Sequence, residues 1–255
     1  MSSSPKTVIA FDLYGTLLAT ESIAKELGNH FGYAKAQSIA AKWRRYQLEY
    51  TWRMNSMSLY KPFSEITHAS LQHALAEQRV SLSEDDERQL MKAYDSLSMF
   101  PDVKPALESL ADDSTIDAYV FSNGSDAMVT SSVTQSKSLS PHAGVFKGLV
   151  TVEEAQVFKP DRRVYEYLAK RVGQDMGRIW LVSGNPFDIV GARLAGMEAA
   201  WVDRAGGHHG MGGWNDKLGD VCGVQPSVIV TKVDDAVEAI RRWDREHAPA
   251  DSTSK

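Results

Sequence analysis

The chain has 255 residues, 43% of them hydrophobic, enough for one large core or one core with a modest second domain. Its formal net charge is −5, from 28 basic and 33 acidic residues spread along the chain, which argues against the basic stripe of a nucleic-acid-binding surface. No apolar run approaches the roughly 20 residues of a membrane helix. The single cysteine, Cys222, excludes an internal disulfide and a cysteine-built zinc site.

The opening MSSSPKT has no long apolar segment, so no secretory leader is expected. A reducing, cytoplasmic setting is expected with it. The first strand is predicted at TVIAFD, 7–12. Helical patterns then replace strands from about 20 to 100: AKAQSIAAKWRRYQLEYTW, FSEITHASLQHALAEQ, and SEDDERQLMKAYDSL with its serine cap and acidic first turn. Strand patterns at 116–122, 147–151, 178–183, 199–203 and 227–231 follow, and the sheet is expected to resume near Pro101. Several of these runs are apolar throughout, as in strands covered on both faces.

Between them, RRVYEYLAKRVG puts Val164, Tyr167, Leu168 and Val172 on one helical face and ends at Gly173. DIVGARLAGM and DDAVEAIRRWDRE are also helical. The alternation predicts an α/β fold: a doubly wound, mostly parallel sheet with an inserted α-helical cap. The expected division is a core of 1–19 and 101–255 and a cap of 20–100. The glycine-rich stretch 204–224 is expected to be a surface loop, and the tail from Ala248 to fray.

In a parallel sheet, ligands bind beyond the carboxyl ends of the strands. Those ends carry Asp12, Tyr14 and Thr16, then Ser122 and Asn123, then Lys159 ahead of a helix, then Ser183, Asn185 and Asp188. Any one of them has an ordinary explanation as a helix cap, a turn residue or a solvated lysine. Their joint occurrence at successive strand ends points to a site.

FDLYGTL, SNG, KPDRRVY and SGNPFDIVGA, in this order, resemble the four motifs of the haloacid dehalogenase superfamily. WRRYQLEYTW followed by LYKPF is similar to the helical cap of its type II members, the L-2-haloacid dehalogenases. The resemblance spans about 7–204 and continues more weakly to 245.

It implies that Asp12 attacks the carbon bearing the halogen, forming an aspartyl ester that water then opens at its acyl carbon. The substrate carbon is inverted once, so (S)-2-haloalkanoic acids become (R)-2-hydroxy acids. Lys159 would keep Asp12 ionised. Asp188, supported by Ser183 and Asn185, would activate the water. Thr16 joins this catalytic set. Backbone near Leu13 and Tyr14, with Ser122, would hold the substrate carboxylate. Arg44 and Asn123 would cradle the halide. Tyr14, Tyr60, Phe63 and Phe187 would wall the pocket and Tyr165 would join the substrate-binding set, although for any one of these aromatics ordinary core packing is the better reading. The resemblance implies no metal and no cofactor, a small 2-haloacid and water as the partners, and a homodimer.

The alternative is a phosphatase of the same superfamily. That branch shows Asp-x-Asp, the second acid protonating the leaving group. Here the position is Tyr14, whose ordinary pKa of about 10 suits that task poorly. Its magnesium-holding Gly-Asp-x-x-x-Asp is also altered, with Gly184 in place of the first acid. An idle binding homologue would lose Asp12, Lys159 or Asp188, and all are present. A hydrolase recruited to another substrate, as in secondary metabolism, fits the departures: Ser-Gly-Asn for the usual Ser-Ser-Asn, Pro186-Phe187 before the acid, and the long glycine-rich stretch. His208-His209 is discounted as a metal site, because adjacent histidines point apart and no third ligand is near in sequence. Cys222 is discounted as a nucleophile.

Overall fold

A computed structural model describes residues 6–204 and 216–247 of the chain. Six strands, β1 (Thr7–Phe11), β2 (Ile116–Ser122), β3 (Phe146–Thr151), β4 (Ile179–Ser183), β5 (Glu198–Val202) and β6 (Val228–Val230), form one sheet in the order β3-β2-β1-β4-β5-β6. Every pairing is parallel. The apolar runs become buried strands: β4 is buried along its whole length, and β1 from Val8 onward. The short edge strand β6 is partly open, with Ile229 exposed.

The chain moves outward from β1 through β2 to β3, then crosses back to β4 on the other side of β1. The order therefore reverses between β1 and β4, and a cleft forms at that reversal, beyond the strand ends. Phe11 pairs with Val182 there, and the Asp12 N–H extends the ladder to the Val182 carbonyl at 3.0 Å.

The insertion after β1 holds α1 (Ala24–Phe31), α2 (Tyr33–Ser56), α3 (Phe63–Glu77) and α4 (Glu84–Tyr94). Its two ends run side by side: the Ala19 N–H donates to Ser98 O at 2.8 Å, and the Phe100 N–H to Leu17 O at 3.1 Å. Ser83 caps α4 as expected, accepting from the Asp86 N–H at 3.1 Å. A buried polar cluster ties the helices together. Trp43 donates to Thr67 O at 2.8 Å, Gln47 to Thr67 Oγ1 at 3.1 Å, and Tyr94 to Gln47 Oε1 at 2.9 Å. The buried Gln47 amide is thereby partnered at both ends.

Five further helices and the C-terminal one complete the layers: α5 (Val103–Ala111), α6 (Asp126–Thr134), α7 (Arg162–Val172), α8 (Pro186–Ala195), α9 (Lys217–Cys222) and α10 (Val233–His247). Three expectations need adjusting. A helix, α5, comes between Pro101 and β2. Within 204–224 the described part from Asp216 is a short helix capped by Asp216, with Cys222 exposed at its end. On α7 it is Tyr165, not Tyr167, that is buried with Val164 and Leu168. At about 100° per residue, position 165 lies in the stripe of 164 and 168, and Tyr167 instead donates to Glu154 Oε2 at 2.8 Å. His208-His209 and the tail from Ala248 lie outside the described residues.

Candidate active site

β1 delivers Asp12 to the cleft. Just beyond it the chain turns tightly, the Leu13 carbonyl accepting from the N–H groups of Leu17 at 3.0 Å and Leu18 at 2.9 Å. The turn brings Thr16 back over Asp12, and its Oγ1 donates to Asp12 Oδ2 at 2.7 Å. The same hydroxyl accepts from the Gly184 N–H at 2.9 Å, which ties the β1 loop to the β4 loop. Asn185 Nδ2 donates to Asp12 Oδ2 at 2.6 Å and to Tyr14 O at 3.0 Å. Ser183 Oγ lies 3.4 Å from the same carboxylate oxygen and accepts the Asn185 N–H at 3.1 Å.

Lys159 arrives from the loop before α7. Its ammonium donates to Asp188 Oδ2 at 2.8 Å, to Phe121 O at 2.8 Å and to Asp12 Oδ1 at 3.3 Å. An ammonium has three protons, so each has an acceptor and the lysine serves as a fixed charge. Lys159 is 1% exposed and Asp188 fully buried. Burying such ions costs several kcal/mol each, which these close pairings offset.

Asp188 lies in the first turn of α8, where a helix N-terminus favours negative charge. Tyr165 OH donates to its Oδ1 at 2.7 Å. Burial raises the Asp188 carboxyl pKa against the lowering charge of Lys159, and the nearby Asp12 raises it further. Gly191 is needed for this arrangement, because a Cβ there would stand 2.5 Å from the Tyr165 hydroxyl.

The cavity over Asp12 is lined on its polar side by Ser122, Asn123, Lys159, Asn185 and Arg44. Its apolar side is Tyr14, Leu48, Phe63 and Phe187. Its free space is about 10 Å³, room for a single water. Tyr14 is 3% exposed and stacks on Phe63 at 6.1 Å between ring centroids. Burial raises its phenol well above the ordinary range. Arg44 reaches in from α2 and donates from Nη2 to Tyr14 O at 3.0 Å and Asn185 Oδ1 at 3.2 Å. A larger open hollow of about 610 Å³ lies on α2 beside Trp52 and His73 and shares Leu48 with the cavity. Its arginines are already paired, Arg53 with Glu49 and Arg45 with Glu77, so we place the chemistry in the smaller, enclosed space.

Several of the expected site residues have other partners than expected, and Tyr165, Tyr60 and Leu13 stand outside the cavity lining. Ser183 and Asn185 contact Asp12, not Asp188, because they precede α8 and face β1 across the strand order reversal. Asp188 is held by Tyr165 and Lys159. Tyr165 therefore stands behind Asp188 and does not wall the cavity. Tyr60 is also outside the lining; it stacks on Phe158 at 5.0 Å, and burial raises its phenol pKa. Leu13 is buried beneath the turn. Asn123 lines the cavity while its Oδ1 accepts the Lys159 N–H at 2.9 Å. Ser122 Oγ accepts the Gly124 N–H at 3.0 Å.

Two contributors were not read from the sequence. Leu48, one helical turn from Arg44, shares its face of α2. Arg204, two residues past β5, donates to Thr16 O at 2.6 Å, pairs with Asp102 at 2.6 Å and lies over the Phe100 ring. It holds the turn that carries Thr16. Among the described residues no three histidine, cysteine or carboxylate side chains are grouped to hold a metal ion.

The chain matches the family described as haloacid dehalogenase-like hydrolase over residues 6–196. It is 34% identical to an (S)-2-haloacid dehalogenase of Pseudomonas sp. (strain YL), over 78% of this chain and 83% of that one. It is 35% identical to (S)-2-haloacid dehalogenase H-109 of Pseudomonas putida, over 78% and 86%. The solved L-2-haloacid dehalogenase of Xanthobacter autotrophicus superposes with a TM-score of 0.79 at 25% identity, covering 93% of this chain and 99% of that one. With this fold and these motif residues gathered at the strand order reversal, the chain belongs to the haloacid dehalogenase-like hydrolase family.

Proposed function

We propose that this protein hydrolyses short (S)-2-haloalkanoic acids to (R)-2-hydroxy acids through an ester on Asp12. The observation that carries the reading is the asymmetry of the Asp12 carboxylate. Among the described residues, Oδ2 accepts from Thr16, Asn185 and Ser183, whereas Oδ1 accepts from Lys159 at the long distance of 3.3 Å. Oδ1 is the oxygen with capacity to attack. Desolvated and fixed, a carboxylate becomes a competent nucleophile toward carbon.

Oδ1 forms a bond to C2 as the carbon–halogen bond breaks, and the halide leaves with the bonding pair toward Arg44 and Asn123. Tyr14, Phe63 and Phe187 keep water from the displacement. Water then adds to the ester carbonyl carbon and loses a proton to Asp188, the base in this scheme. The acyl C–O bond breaks, the hydroxy acid leaves, and the Asp12 carboxylate is restored. A halide leaves without a proton, so a phenol at position 14 suffices where a phosphatase needs an acid. Metal independence is part of the proposal, supported by Gly184 in place of an acid.

The assignment of 20–100 as a cap on a core of 1–19 and 101–255 belongs to the same reading. So do a cytoplasmic location, supported by the lone cysteine, and a homodimer, supported by the exposed apolar Tyr33, Met57 and Leu59 of the insertion. No helix among the described residues is long and apolar enough to cross a membrane.

The test is halide release from (S)-2-chloropropionate with EDTA present, followed by single turnover in ¹⁸O water. Label is expected in the peptide containing Asp12. Absence of halide release together with magnesium-dependent cleavage of a phosphate ester would overturn the proposal in favour of the phosphatase.

A further inference from the structure

The residue before Lys159 is gripped from the helical insertion. Asn55, the penultimate residue of α2, donates from Nδ2 to Phe158 O at 2.7 Å. Its Oδ1 accepts the Phe158 N–H at 3.0 Å. Only one orientation of the amide satisfies both bonds, so the pairing is directional, like a rung between strands. The Phe158 ring is fully buried, stacked on Tyr60 at 5.0 Å and against Phe63 at 6.4 Å. The next N–H, of Lys159, donates to Asn123 Oδ1 at 2.9 Å. The peptide that carries the lysine is therefore held by the insertion on one side and by the end of β2 on the other.

Neither Asn55 nor Phe158 lines the cavity, and neither touches a reacting atom. Yet Lys159 Nζ must meet Asp12, Asp188 and Phe121 O together, a geometry that a small shift of its backbone would spoil. Arg44 and Asn55 are also spaced by about three turns of α2, on the same side of the helix. The helix that brings the guanidinium to Tyr14 O thus brings the amide to Phe158.

We propose that Asn55 is a positioning residue for Lys159, setting the Phe158–Lys159 segment so that the lysine engages Asp12 only when α2 is seated with Arg44 in the site. The kinetic part of this rests on the haloacid reading; the geometric part does not. A plain adhesive role, gluing the insertion to the sheet layer, predicts lost stability and unchanged turnover per folded molecule.

The experiment uses the full chain with Asn55→Ala and Asn55→Asp. Asn55→Ala is expected to lower kcat for halide release about ten- to a hundredfold, as misplacement of a catalytic group does, with KM little changed. Backbone hydrogen exchange should show protection lost at the N–H of Lys159 as well as at that of Phe158. Asn55→Asp keeps the acceptor for the Phe158 N–H but not the donor, so it should retain protection at Phe158 and fall between wild type and Asn55→Ala in kcat. It serves as the test should the alanine variant not fold. Wild-type kcat per folded molecule, or unaltered protection at Lys159, overturns the proposal. If the wild-type chain releases no halide, the haloacid reading falls, and loss or retention of Lys159 protection still decides for or against the clamp.

Discussion

Gly184 and Gly15 pass so closely that a Cβ on Gly184 would stand 2.5 Å from the Gly15 carbonyl oxygen. The same Cβ would meet Arg204 Cγ at 3.3 Å and Val202 O at 3.4 Å. The obstacle is backbone, which cannot swing aside as a flexible side chain can. This is the position at which the phosphatase branch carries an acid, so the two β-strand loops are packed for its absence.

Gly184→Asp should therefore cost about 1–3 kcal/mol of stability, the usual range for overpacking a tight site. It should not introduce magnesium-dependent phosphate ester cleavage. Thermal melts and a phosphatase assay check this together. A variant with the wild-type midpoint and new phosphatase activity would show that the loops part easily and would restore the alternative.

Asp188 raises a different question, because both its oxygens are occupied, one by Tyr165 and one by Lys159. If it accepts the proton of the hydrolytic water, Asp188→Asn should leave the first displacement running and stall the second. The expected result is a burst of one halide per site and an enzyme heavier by the substrate residue joined through C2 as an ester of Asp12, with steady turnover down about 10²–10⁴-fold. Intact-protein mass spectrometry reads it directly. Slow halide release with no burst and no adduct would mean that Asp188 acts through Lys159 on the first step.

Arg44 spans two acceptors from one nitrogen, Tyr14 O and Asn185 Oδ1. Its planar fork leaves other N–H groups for a departing halide, which a lysine ammonium cannot reproduce from the same reach. Arg44→Lys is expected to lower kcat about a hundredfold, the scale of losing a donor to developing negative charge. Halide release with chloro- and bromopropionate measures it, and unchanged turnover would remove Arg44 from the site.

Much of this was legible in the sequence because the relevant signals are local. The strands are short apolar runs, and all six appear within a residue or so of their expected bounds. Asp12 and Asn185 stand just after strand ends, where a parallel sheet gathers its polar groups, and Lys159 stands in the loop just ahead of α7. What escaped was long-range or backbone-directed. Asn55 and Phe158 lie 103 positions apart, and an asparagine near a helix end gives no sign that its partner is a distant peptide group. Arg204 reaches Thr16 across 188 positions for the same reason. Ser183 and Asn185 are neighbours of Asp188 in sequence and point to it there, whereas the strand order reversal turns them toward Asp12. Tyr165 reads as a substrate-binding residue in the sequence because aromatic character does not say which side of α7 faces the carboxylate of Asp188.

Asp95 gives the pH dependence of stability a definite sign. It follows α4, half-buried, and burial alone pushes its carboxyl from the ordinary 3.8 up to about 6. A raised carboxyl pKa means that the folded chain binds the proton more tightly than the unfolded chain does. Its contribution is thus fully present below about pH 4 and is lost as the pH rises through about 6. Above that, the folded state carries a partly desolvated charge. Asp95→Asn should therefore stabilise the protein at pH 8 and leave it nearly unchanged at pH 4. Because the group is not fully enclosed, solvent screening holds the gain to about 1 kcal/mol. Urea midpoints at the two pH values measure it. An equal gap at both would mean that ionisation of Asp95 is not the cause, and a variant less stable than wild type at pH 8 would reverse the assigned sign.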